Sequence, residues 1–401
     1  MDSLSQIVLG AAVGEVVLGK KIGNRAMLWG AIAGTIPDLD IISNLWLNEV
    51  DGLAAHRGIS HSLAFAVLGA VGFGWAVDKM YNSSFQKHIA IFSRSILICS
   101  LIVGLIYFGV NSEKLLSPLI GAAAIGVLGY LWMNKRYRTH PIASPNATMR
   151  DWILLFFWGL ITHPILDCFT VYGTQLFAPF SKTRVAWSTI SVADPLYTVP
   201  FMICLILASF IAKEKRLRRI INWTGIGISC GYLLFTVINK QKINAIFTQS
   251  LNEQGYVYSD LMTSPTILNN ILWHGAAKTD TSIIFGKYSY FDTDKKITFY
   301  EEPMGDENLA GIENHRTIEI LKWFSDGYYN VITRGDIIQF NDMRYGRFTD
   351  DDTSPDNYIF MFNLKRLGAN DVEMLKSQGG PPPGNEAEIF RALSKRIRGI
   401  E

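Results

Sequence analysis

The chain has 401 residues, 49% of them hydrophobic and only 18% charged, and its mean hydropathy of +0.18 is above that of ordinary soluble enzymes. A net charge of +2, with Lys and Arg in short clusters between apolar runs, argues against a nucleic-acid partner. Cys99, Cys168, Cys204 and Cys230 lie in or beside apolar segments without a CxxC pair, so no disulfide framework is expected.

The start, MDSLSQIVLG, carries an aspartate and no basic residue ahead of its apolar stretch, unlike a cleaved signal peptide. Apolar runs recur at about 4–19, 26–37, 62–78, 95–110, 115–133, 151–168, 196–212 and 220–238. The later ones approach the ~20 residues that a membrane-spanning helix needs. They predict an α-helical multi-pass membrane domain over 1–239 with up to eight spans. The first two runs are short and rich in Gly and Ala, a composition that allows close helix packing.

The connecting loops alternate in charge. One set holds Lys20, Lys21, Arg25, Lys79, Lys87, Arg94, Lys135, Arg136, Arg138, Arg150, Lys213, Lys215, Arg216, Arg218 and Arg219; the other holds only Arg57, Lys114, Lys182 and Arg184. Cytoplasmic loops are enriched in Lys and Arg, so the second set is expected outside. With eight spans, everything after about residue 239 follows it there.

From about 240, charged and aromatic residues alternate, as in TSIIFGKYSYFD and KKITFYEE, between Asp, Gly and Asn turn signals. This predicts a smaller soluble α+β, strand-rich domain over 240–378 that is extracytoplasmic. A helical stretch near 311–327 interrupts it, with Ile318, Leu321 and Trp323 as expected buried positions. Residues 379–401 read as a GGPPPGNE linker and a basic amphipathic tail.

Three ionisable clusters fall at the expected outer ends of apolar runs. In PDLD, an extended backbone would point Asp38 and Asp40 the same way, as two oxygen ligands for metal ions, although solvated aspartates ending a helix would look alike. In HRGISHS, a turn at Gly58 and a helix cap at Ser60 would let His56 and His61 converge, with Arg57 suited to an anionic oxygen. In HPILD, His163 and Asp167 share a helical face four residues apart. Charged groups at membrane depth usually face a cavity or a partner, and a His–Asp bond holding helices together is the plain alternative. Glu15 needs a partner if buried; it would either act as a base orienting water beside the site or be simply interfacial. Tyr172 and Thr174 either line an entrance or pack at the interface. Mixed nitrogen and oxygen ligands without thiolates suit Zn²⁺ first and Mn²⁺ second, and metal-assisted hydrolysis is the natural chemistry. There is no G-x-S-x-G elbow, Walker loop or dinucleotide fingerprint.

The ordered series MDSLSQIVLGAAVGE, GTIPDLD, HRGISHSL, THPILDCFTVYGTQLFAPFS and VADPLYTVP, spanning about 1–210, resembles a family of membrane-bound, metal-dependent proteins of the bacterial inner membrane regarded as hydrolases. The resemblance implies metal ligands at Asp38, Asp40, His56, His61, His163 and Asp167, with Asp194 a weaker candidate. It also implies a departure at Gln6, where many members have histidine. A distant similarity to zinc-dependent phospholipases C and single-strand nucleases suggests phosphoester substrates, on fold-level analogy alone. The expected protein is an inner-membrane hydrolase with two or more ions, acting on a membrane lipid or lipid-linked phosphoester. Arg57 would clamp the substrate, and Asp194 or Glu15 would orient water. The competing expectation is a non-catalytic membrane protein with a structural metal site and a soluble domain that binds a protein partner.

Overall fold

The computed structural model describes residues 1–83, 86–111, 116–139, 144–293, 296–348, 354–375 and 386–400. Lys114, His140 and most of the expected linker (379–385) lie outside the described residues.

Each apolar run coincides with a helix: α1 (Ser3–Ile22), α2 (Asn24–Thr35), then, past a short α3 (Glu49–Ala55), α4 (Leu63–Asn82), α5 (Gln86–Asn111), α6 (Leu116–Thr139), α7 (Met149–Asp167), α8 (Pro195–Ser209) and α9 (Arg216–Glu253). Among the described residues, α1, α4 and α9 are long and apolar enough to cross a membrane. The helices α1 and α2 pack backbone to backbone. A Cβ at Gly10 or Gly14 would fall on the carbonyl oxygen of Gly30 or Ala26, which explains the glycines in GAAVGEVVLG and WGAIAGTIP. Another face of the same stretch of α1 packs on α7 and α8 through Val8, Ala12, Leu166, Tyr197 and Phe201.

Residues Gly69–Leu154 form a second compact unit. Within it Tyr81 stacks on Trp152 with centroids 5.5 Å apart, and Arg94 lies 5.0 Å from the ring of Trp132 on α6.

The helix α9 does not stop where its apolar run ends at 238. It continues to Glu253, because Ile243, Phe247 and Leu251, spaced four apart, form a stripe that packs on a β-sheet. That sheet is an antiparallel meander of β1 (Asp260–Pro265), β2 (Leu272–Lys278), β3 (Ser282–Ser289) and β4 (Tyr300–Pro303). Trp273, Tyr288 and Ile284 face α9, while Ala276, Ile283 and Phe285 face a second core. Nearly every position of β2 and β3 is therefore buried.

The second meander, β5 (Tyr329–Arg334), β6 (Ile337–Asp342), β7 (Met361–Arg366) and β8 (Val372–Met374), shares that core with α10 (Arg316–Phe324). Ile318 and Leu321 are fully buried as expected, but the innermost aromatic of α10 is Phe324. Trp323 is half-buried and donates its indole N–H to the Lys182 carbonyl at 3.2 Å. The basic tail forms α11 (Glu386–Ile397), tied to the first sheet by the Arg396–Asp292 ion pair.

Candidate metal centre

Four side chains from three chain segments converge. Asp38 stands in a 3₁₀ helix (Ile36–Leu45) that extends α2, His61 in a single 3₁₀ turn before α4, and His163 and Asp167 on the last turns of α7. One ligand atom from each lies within 4.8 Å of all the others. The His61 and His163 Nε2 atoms are 3.1 Å apart. Asp38 Oδ1 is 3.4 Å from His61 Nε2 and 3.3 Å from His163 Nε2, and Asp167 Oδ2 is 3.4 Å from each. A tetrahedral ion with ligand bonds of about 2.0–2.1 Å has ligand-to-ligand edges of about 3.3 Å, so five of the six edges already have that length.

The protons fix the direction of the lone pairs. His163 Nδ1 is 2.6 Å from the Gly34 carbonyl oxygen, which can only accept, so this nitrogen carries the hydrogen and Nε2 presents a lone pair to the cluster. His61 Nδ1 faces Asp40 Oδ2 at 3.3 Å, which turns its Nε2 inward likewise. On Asp167, Oδ1 accepts from Gln6 Nε2 at 3.0 Å and from the Met1 amine, whereas Oδ2 is buried without a hydrogen bond. Two imidazole nitrogens and two carboxylate oxygens facing one another at these distances call for a positive charge among them, protons or a cation, and the nitrogen and oxygen donor set fits a metal ion.

The neighbours of His61 differ from the sequence expectation. PDLD is not extended: Pro37 opens the 3₁₀ helix, and at three residues per turn Asp38 and Asp40 point apart. They flank the His61 ring, Asp38 at Nε2 and Asp40 at Nδ1. Asp40 also accepts from Ser60 Oγ at 3.1 Å and from the Arg57 backbone N–H at 2.9 Å, and it meets His56 Nδ1 at 2.9 Å. Burial works to raise Asp40, and hydrogen bonds from His56 and His61 outweigh it and hold this carboxyl below the usual carboxylate range.

The chain reverses not at Gly58 but at Arg57, whose φ of 55° is left-handed. Such a residue costs of order 1–3 kcal/mol. The Asp40 bond and a bond from Gln175 N–H to the Arg57 carbonyl, at 3.0 Å, hold it there. Ser62, not Ser60, caps α4, accepting from Phe65 N–H at 3.0 Å.

Of the expected site residues, Asp38, His61, His163 and Asp167 form the cluster, with Asp40 and His56 against it. Arg57 Nε lies 3.4 Å from Asp167 Oδ2 and Arg57 Nη1 donates to Thr170 Oγ1 at 3.0 Å. Glu15 is elsewhere, clasped by Arg218 through Nε at 2.6 Å and Nη2 at 2.5 Å. Asp194 caps α8, accepting from Leu196 N–H at 3.0 Å, and takes the Tyr232 hydroxyl at 2.8 Å. Burial raises the Asp194 carboxyl despite those bonds. Gln6 is no ligand in this arrangement; it steadies Asp167 and donates to the His163 carbonyl at 3.2 Å.

The sequence reading missed the Gly34 carbonyl, which as backbone leaves no residue-type signal. It also missed Arg184, which lies beside the site over Tyr172. A signal for Arg184 existed: it is one of only four basic residues on the sparsely charged side.

Residues 1–112 and 114–243 match a family described as YdjM inner membrane protein. The match ends within α9, so β1 to β8 lie beyond it. No curated protein and no solved structure matches the chain.

Proposed function

We propose that this chain, which belongs to the YdjM inner membrane protein family, is a membrane-bound metal-dependent hydrolase acting on a phosphoester of a lipid or lipid-linked substrate at the outer face of the inner membrane. The near-tetrahedral convergence of Asp38, His61, His163 and Asp167 carries this reading. These residues would hold the metal, Zn²⁺ first by ligand type and Mn²⁺ second. Bound there, the ion would supply Lewis acidity and acidify a water molecule.

The chain's own groups do the rest. Asp40 fixes the tautomer and ring plane of His61, and Gly34 does so for His163. Arg57 holds positive charge beside Asp167, where an anionic substrate oxygen would gather. Asp38 is the open side of the cluster, its side chain 22% exposed while His61 and His163 are fully buried, so substrate would approach there. The oxygens of Asp40 are taken by His56, His61, Ser60 and the Arg57 N–H, which leaves ligands for one ion where two or more were expected. The outer-face assignment is supported by the basic residues concentrated in the opposite loops.

One observation favours the second reading, a structural ion in a non-catalytic protein: the cluster offers four protein ligand atoms, the number that closed structural sites use. Elemental analysis of detergent-purified protein, with metal-dependent turnover of a phosphodiester and a phosphomonoester, separates the two. One equivalent of Zn or Mn per chain, lost in a folded His163→Ala/Asp167→Ala variant and required for turnover, upholds the hydrolase. Bound metal without turnover of lipid phosphoesters upholds the structural ion, and absence of metal after repletion sinks both.

A further inference from the structure

Next to the cluster, three arginines gather on aromatic rings. Arg57 and Arg184 each lie 4.7 Å from the ring centroid of Tyr172, and Arg184 and Arg344 lie 4.4 and 5.1 Å from that of Phe324. Tyr172 and Phe324 meet edge to face at 5.1 Å, and His56 meets the other side of this group, 5.3 Å from Tyr172. Arg57 and Tyr172 come from the loops at the helix ends, Phe324 and Arg344 from α10 and the segment after β6.

Two of the three arginines have counter-ions. Arg57 is 3.4 Å from Asp167 Oδ2, and Arg344 grips Asp342 with Nε at 2.9 Å and Nη2 at 2.6 Å. Among the described residues Arg184 has no carboxylate. Its Nη2 donates to the Tyr172 carbonyl, and its Nη1 is buried without any acceptor. Burial pushes Arg184 down to about 10, with Arg344 and Arg57 adding repulsion, so it remains charged at neutral pH. The rings offset part of that cost through cation–π attraction. Arg184 is half-buried, but its Nη1 is shielded from water with no acceptor, and what the geometry lacks there is an anion.

We propose that Arg184 and Arg57, with Tyr172 between them, form an oxyanion-binding site of phosphate class at the edge of the metal cluster, and that the β-domain completes it with Phe324 and Arg344. The guanidinium fork suits two oxygens of one phosphate group. The choice of phosphate rests on the phosphoester reading above, whereas the anion site itself rests on Arg184 alone. The β-domain thereby acquires a role: it places the Phe324 ring and the Arg344 guanidinium against the anion-binding group.

The test uses full-length protein in detergent, stripped of metal by chelator, desalted, and titrated calorimetrically with inorganic phosphate at constant ionic strength. Saturable binding is expected, weakened 10-fold or more in Arg184→Gln and less in Arg184→Lys, which keeps the charge but not the fork. Circular dichroism checks that both variants fold. Should Arg184→Gln fail to fold, the wild type still decides: phosphate must raise its thermal midpoint where equimolar sodium chloride does not. No phosphate binding, or binding unchanged in folded Arg184→Gln, overturns the proposal. A short-chain phosphatidate titrated in the same way separates a lipid headgroup from a free anion, and Arg184-dependent binding of either upholds the site. Because no metal is present in this titration, Arg184-dependent binding would leave this proposal standing even where the metal-loaded protein shows no turnover, an outcome that sinks the hydrolase reading alone.

Discussion

At His61 the ring is held from both sides, Asp38 at one nitrogen and Asp40 at the other, and the two aspartates therefore have different tasks. Groups that orient a ligand rather than bind the ion typically change metal affinity about 10–100-fold when removed. Asp40→Asn should weaken binding by that factor at unchanged stoichiometry, measured by competition with a chromophoric chelator. Asp38→Asn should instead weaken binding further and alter the coordination seen by X-ray absorption. Equal behaviour of the two variants would mean that Asp40 is itself a ligand. At this scale the motifs were legible in the sequence, because His61, His163, Asp38 and Asp167 stand out as ionisable groups at the ends of apolar runs. Their division of labour was not. It depends on which side of one imidazole each carboxylate reaches, and the 3₁₀ helix after Pro37 decides that.

Among the elements, α1 is fixed differently along its length. Its middle lies against α2 through glycines, and toward its C-terminus the buried Glu15 meets Arg218 of α9, with Asn24 Oδ1 accepting from Arg218 Nη1 at 2.7 Å. Removing one partner of a buried pair leaves an uncompensated charge at a cost of about 3–5 kcal/mol. Glu15→Ala should lower the thermal midpoint sharply while a folded fraction keeps its metal. Loss of metal with full stability would instead return Glu15 to the site. On α9, Phe247 lies over Gly275 of β2, where any Cβ would collide with its ring. Phe247→Ala should cost about 3–5 kcal/mol in denaturant unfolding of the full chain. The eight helices were readable because each is one continuous apolar run. The second half of α9 was not, since a stripe of three apolar residues gains meaning only once a sheet lies beneath it.

For the whole molecule, the basic loops predict which face is which. Single cysteines placed at Ser181 and Thr281, in a background lacking Cys99, Cys168, Cys204 and Cys230, should react in intact cells with a membrane-impermeant maleimide, and one at Lys215 should not. The reverse pattern would place the metal cluster and the β-domain on the cytoplasmic side. The unbroken course of α9 has a mechanical consequence as well. Thirty-eight helical residues extend about 57 Å, whereas the hydrocarbon core takes up only about 30 Å. The remainder is a stiff lever whose far end is bonded into the first sheet through Ile243, Phe247 and Leu251. The sheets therefore cannot swing on a tether. The point along α9 at which its apolar stretch ends would thus fix how far the first sheet stands from the bilayer surface.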